Sequence, residues 1–378
     1  MPCKPLQRTG TRLRRHAGAV VLSLLLLALA GCVTPERAQG PVMRPADVRA
    51  RIVRLLPAAT TDREGWARDI TAAFAALGIE PTNSHLCSVL AVTAQESGFT
   101  VDPAVPGLAK IARAEIDRRA ARLHVPRFAV TAALRITSPN GQRYDERLKK
   151  VRSERELSLI YEDLIGSVPL GERLFADANP VRTGGPMQVS IQFAEQHARG
   201  YPYPVQESIR HEVFTRRGGL YFGIAHLLDY PATYDKPLYR FADFNAGRYA
   251  SRNAAFQQAV SLASGIPLAL DGDLVAAGDD PGPTEVAVRS LGQRIGLGKR
   301  AIRSALERGD RAGFERETLY QRVFDLAETI EGHPLARAVV PRIRLESPKI
   351  TRKLTTAWFA QRVETRWRQC MGKAGGRG

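Results

Sequence analysis

The chain has 378 residues, of which 44% are hydrophobic and 25% charged, with a formal net charge of +17. That length allows roughly two domains with real cores, and no internal repeat or low-complexity tract interrupts it. The basic balance is no sign of nucleic acid here, because the first thirty residues direct the chain out of the cytoplasm, where the anionic partners are wall polymer and lipid headgroups.

Lys4, Arg8, Arg12, Arg14 and Arg15 form a basic start, and an apolar run from Ala17 to Ala30 follows. That run is too short and wrongly flanked for a spanning helix. It ends in Leu29-Ala30-Gly31-Cys32, which resembles a bacterial lipobox. The resemblance implies cleavage before Cys32, lipidation of its thiol and anchoring without a transmembrane helix. Val33 in place of Asp implies the outer membrane, with the protein facing the periplasm. Removing residues 1–31 removes five positive charges and leaves 50 against 38, or +12. Of the remaining cysteines, Cys87 and Cys370 are an even pair in an oxidising compartment, so a disulfide and two buried thiols are both open.

Residues 32–60 read as a lipidated tether and entry segment. Thr61-Asp62-Arg63-Glu64 has the form of a capping box, and the spacing of Trp66, Ile70, Phe74 and Leu77 predicts a helix stopping at Gly78. A second helix is expected from Pro81-Thr82-Asn83-Ser84, buried along Leu86, Val89, Leu90 and Thr93, with Glu96 in its last turn. Helical patterns continue at 107–123 and 153–166, then as three helices across 205–263 broken near Pro231 and at Asn245-Ala246-Gly247. Residues 266–283, rich in Gly, Pro and Asp, read as a linker. Helices are then expected near 284–296, 299–308, 313–331 and 349–370. Residues 337–378 hold eleven Lys and Arg against two Glu, either as a solvated helix face or as a surface for anionic lipid or wall polymer. Alternating strand patterns are scarce, so the fold class expected is all-α.

Three motifs carry chemistry, in one order: Gln95-Glu96-Ser97-Gly98-Phe99, Gly185-Pro186-Met187-Gln188 and Phe244-Asn245-Ala246-Gly247. A carboxyl that donates a proton must stay protonated near neutral pH, and both burial and a helix C-terminus favour that. Glycines in the other two motifs let backbone approach a ligand closely. Together the motifs resemble the active-site signature of lytic transglycosylases with the goose-type lysozyme fold, which cut the sugar strands of peptidoglycan.

The resemblance implies a lysozyme-like catalytic domain over residues 61–265, with a large insertion at about 101–180; the additional basic helical region over 284–378 is read from its helical patterns and charge, outside the resemblance. It makes Glu96 the single catalytic acid and base. Ser97, Gly185, Met187, Gln188, Phe244 and Asn245 would bind substrate, the glycan strand of peptidoglycan. The family's tyrosine is Phe244 here, so another hydroxyl is needed; Tyr239 and Tyr249 are near in sequence. Asp102 and Asp243 are equally placed as second carboxylates. Of the twelve aromatics in 201–256, Tyr201 and Tyr203 are the best placed to stack on sugar. Glu96 and Gly185 lie 89 positions apart, more than typical members show. Residues 101–180 are therefore expected to cover the groove, select substrate or bind an envelope protein. A catalytically silent glycan-binding protein and a scaffold are the rival readings. The seven histidines lack ligand spacing, so no metal or cofactor is expected, and His85, His197 and His226 are read as structural.

Overall fold

The computed structural model describes residues 43–167, 179–234, 236–345 and 354–376. The expected signal, Cys32 and most of the tether lie outside them. Residues 45–378 make one compact unit. The architecture is helical throughout, with two short two-stranded hairpins, so the all-α expectation holds.

The first helix, α1 (Pro45–Leu55), buries Val48, Ile52 and Leu55 and packs on α2 (Arg63–Leu77). The segment 32–60, expected as tether and entry, thus contains a packed helix over its described part. The cap of α2 is Asp62, one residue after the position that the capping-box pattern predicts; its carboxylate accepts from the Gly65 N–H at 3.1 Å and from Arg216 at 2.6 Å. Helix α3 (Asn83–Glu96) is capped by Thr82, whose hydroxyl accepts from the His85 N–H at 3.1 Å.

Residues 104–153 leave this body and return. Ala104 bridges Ser153, and the Val105 N–H donates to the Arg152 carbonyl at 2.8 Å. Between those ends, α4 (Leu108–Arg122), α5 (Arg127–Ala133) and α6 (Tyr144–Lys150) pack on one another. Helix α7 (Glu154–Gly166) begins with a full capping box of Ser153 and Glu156. The excursion lies within the segment 101–180 that the sequence reading sets apart.

Hairpin β1 (Thr183–Gly184) and β2 (Val189–Ser190) leads into α8 (Ile191–Gln196), α9 (Ile209–Val213), α10 (Arg216–Leu228), α11 (Pro237–Ala246) and α12 (Ala250–Ser264). Helix α12 is buried nearly all round. Its Phe256, Ala259 and Val260 form one core with Val288 of α13 (Pro283–Ser290), Ile302 of α14 (Lys299–Leu306), Phe314, and Val323 and Phe324 of α15 (Thr318–Glu331). The expected linker at 266–283 therefore separates nothing. Gln257 donates to Asp271 at 2.6 Å and to the Asp273 carbonyl at 3.0 Å, and Asn253 to the Gly272 carbonyl at 3.2 Å. After hairpin β3 (Arg344–Leu345) and β4 (Leu354–Thr355), the last helix, α16 (Thr356–Gly375), lies against both α3 and α11. The separate C-terminal region expected over 284–378 is instead continuous with the core.

Candidate functional site

Glu96 is the final residue of α3. Leu86, Val89, Val92 and Thr93 of that helix are fully buried, and this anchoring fixes where the glutamate emerges. The chain then turns sharply. Gly98 has φ 58° and Phe99 φ 65°, a left-handed conformation that an aromatic residue adopts only when its surroundings hold it. Phe99 is held edge-on against Trp66 at 5.4 Å, and the Arg216 guanidinium lies over the same indole at 5.6 Å. Ser97, expected to bind substrate, closes the helix by donating to the Thr93 carbonyl from both its N–H and its hydroxyl.

Glu96 is partly exposed, and the surrounding protein desolvates its carboxyl. Burial alone raises its pKa to about 7. No hydrogen bond or ion pair holds the carboxyl among the described residues. The neighbouring Gln95 Oε1 is enclosed with no hydrogen-bond partner among them. An unpaired carboxyl with a pKa near neutrality is equipped to give a proton and take one back.

The second motif forms the hairpin turn between β1 and β2. Gly185 has φ 71°, and a Cβ there would lie 2.1 Å from the Val213 carbonyl oxygen, so glycine is required twice over. Gln188 bonds within the turn, its N–H donating to the Gly185 carbonyl at 3.1 Å and its side-chain oxygen accepting from Thr183 at 3.2 Å. Met187 is fully buried beneath α10, where a Cβ on Gly223 would sit 2.6 Å from its sulfur. It packs the turn onto α10, so the expected sugar contact is replaced by a core contact.

The third motif ends α11. Asn245 is exposed and accepts from the Thr356 hydroxyl at 3.1 Å. Phe244 lies against His226 at 5.2 Å between ring centroids. His226 gives one ring nitrogen to the Phe244 carbonyl at 3.3 Å, and burial lowers its pKa to about 4. The Ala246-Gly247 turn borders a cavity of about 380 Å³ that also reaches Asp273 and Glu307.

Asp243 is not a second carboxylate in a groove. It is fully buried, accepting from Tyr230 at 3.1 Å, from Tyr234 and from the Ser251 N–H at 2.7 Å, and it ties α11 to the start of α12. Burial holds its pKa above the ordinary range against those donors. Asp102 accepts from the Ser153 hydroxyl at 2.8 Å at the base of the insertion. Tyr201 is buried, donating to Glu212 at 2.5 Å and stacked on Phe222 at 5.0 Å. Tyr203 lies half-buried under Arg217 at 5.0 Å. Tyr249 is covered by Arg252 at 4.3 Å, and Tyr239 meets Tyr234 at 5.7 Å. None of these hydroxyls bonds Glu96 among the described residues.

The motifs are joined through their elements. Helix α10 carries the hairpin and contacts α2, α3 and α11. Helix α16 is fastened to α3 by the Cys87–Cys370 disulfide, with Cα atoms 5.5 Å apart, and by the Trp367 indole N–H, which donates to the Ser84 carbonyl at 3.2 Å. Thr356 fastens the same helix to Asn245. Sequence reasoning missed Trp66, Trp367 and Thr356. Only Trp66 had a signal, its place on the buried stripe of α2. Among the described residues no group of three or more His, Cys, Asp or Glu gathers as metal ligands, and no helix is long and apolar enough to cross a membrane.

Fold and site define a helical unit in which the carboxyl of Glu96, desolvated and without a hydrogen-bond partner among the described residues, ends a helix. The chain belongs to the family described as "Protein of unknown function (DUF1615)", which matches residues 59–373. It is 56% identical over 355 residues to "Uncharacterized protein YaiW" of Escherichia coli (strain K12), covering 93% of this chain and 97% of that protein. No solved structure matches it.

Proposed function

We propose that this chain is a lipid-anchored protein of the outer membrane, facing the periplasm, whose lysozyme-like body cleaves the glycan strands of peptidoglycan. The observation that carries the reading is Glu96: an unpaired carboxyl at a helix end, raised by burial to a pKa of about 7, within the motif order that lytic transglycosylases share. Glu96 in its acid form protonates the oxygen bridging N-acetylmuramic acid and N-acetylglucosamine, and the C1–O bond breaks. The resulting carboxylate takes the proton of the muramic C6 hydroxyl as that oxygen bonds to C1. The product is a 1,6-anhydro ring, formed without water. Most glycosidases need a second carboxylate; here the substrate's own groups take that part, in keeping with the structural employment of Asp243.

Incubating peptidoglycan sacculi with residues 33–378 and with the Glu96→Gln variant tests this by mass spectrometry of the released sugars. Anhydromuropeptides from the wild type alone support the proposal. Reducing-end products would make the protein a muramidase instead. A second reading, glycan binding without cleavage, draws on Phe244 and on the complete burial of Met187; retained sacculus binding with no product from either protein would favour it.

A further inference from the structure

The insertion carries a surface that the glycan reading does not use. Among the described residues nine large hydrophobic side chains are exposed, and four of them, Leu123, Val125, Phe128 and Ile136, fall within fourteen positions at the turn from α4 into α5 and just beyond. Phe128 is 77% exposed and Leu123 72%, which is unusual for side chains of this size unless another phase receives them. Helix α5 shows why they cluster. Within it Val130 faces inward while Phe128 and Ala132, four positions apart, face out, and past its end Leu134 is buried and Ile136 exposed.

Charge surrounds the patch on one side of zero. From Arg118 to Tyr144 the sequence has six arginines and no Asp or Glu. Arg118 and Arg119 pair with Glu115, and Arg143 with Asp145. Arg122, Arg127 and Arg135 are exposed and pair with no carboxylate among the described residues. Beside them runs a shallow groove of about 530 Å³, lined by Lys110, Arg113, Arg118 and Arg127 with Asp117 as its carboxylate. Exposed aromatic and aliphatic side chains interspersed along the chain with unpaired arginines fit a phase that is apolar within and anionic at its face. A glycan strand offers no apolar interior.

We infer that the tip of the insertion, from Leu123 to Ile136, docks onto the surface of an anionic lipid bilayer, with Leu123 and Phe128 entering the interface and the arginines binding phosphate headgroups. The contact is independent of acylation at Cys32 and of the chemistry at Glu96. It gives the body a second point of attachment and would orient it on the membrane.

Residues 33–378 made without acyl chains contain the whole compact unit and allow a direct test by co-sedimentation with vesicles. Pure phosphatidylcholine vesicles are compared with phosphatidylcholine containing phosphatidylglycerol. Binding to the anionic vesicles alone is expected, weakening about fivefold for each arginine neutralised among Arg122, Arg127 and Arg135, and lost in the Leu123→Glu/Phe128→Glu variant. These side chains are exposed, so the variants keep the wild-type circular dichroism and melting temperature. Absence of binding to anionic vesicles, or equal binding by the Leu123→Glu/Phe128→Glu variant, overturns the inference. So does sedimentation velocity showing a dimer that this variant abolishes, since the patch would then belong to a second copy. Sacculus binding that the same variant loses, without vesicle binding, would assign the patch to the wall and also overturn it.

Discussion

The role proposed for Glu96 makes two demands: the side chain would have to reach substrate, yet be enclosed enough to hold its proton. The structure ends a buried helix at that residue and turns the chain away through Gly98 and Phe99. Burial has a stability consequence whose sign is fixed. In the unfolded chain the carboxyl titrates near 4.5, and in the folded chain near 7. Between those values the folded state binds more protons, so stability falls as pH rises through that window and the loss is complete above it. Glu96→Gln should therefore match the wild type near about pH 4 and exceed it by up to about 3 kcal/mol near about pH 8, as read from urea unfolding at each pH. Asp243 makes the opposite case. It accepts from two tyrosines and a helix N-terminal N–H, so Asp243→Ala strands buried donors and should cost about 3 kcal/mol or more in the same assay.

At the scale of elements, the hairpin turn and α10 are fitted through glycine. Gly223 leaves room for Met187, and Gly185 for the Val213 carbonyl. Gly185→Ala adds both a strained φ and an overlap with backbone that cannot move aside, and should cost about 3 kcal/mol or more in thermal denaturation. Helices with caps were legible in the sequence: Thr82 opens α3, Gly78 closes α2, and the 153–166 pattern became α7 within a residue. The contacts of Met187 and Tyr201 were not. Whether a loop methionine or tyrosine faces a groove or the core depends on which helix covers it, and no local periodicity reports that.

Across the whole molecule, the C-terminal helix is what sequence reading misplaced. Composition marked 284–378 as a separate basic region, but helical periodicity states only that one face of α16 is buried, not where. That face lies on α3 and α11, 283 residues back at the disulfide. The cysteine pair was legible because only two thiols remained to pair, and it was the one long-range contact the sequence offered. Closing so long a loop restrains the unfolded chain strongly. Cys87→Ser/Cys370→Ser should lose about 3–5 kcal/mol by denaturant unfolding and should loosen the support beneath Glu96. The segment 266–283 belongs to the same unit, since Gln257 and Asn253 hold it to α12.

The most direct test of Glu96 as proton donor is the rate at which sacculi release anhydromuropeptides on either side of its pKa of about 7. The wild type should release them faster at about pH 6 than at about pH 8, because the acid form is lost between, and Glu96→Gln should release none at either pH. Release by Glu96→Gln at the wild-type rate, or no release by the folded wild type at any pH, would contradict the assignment.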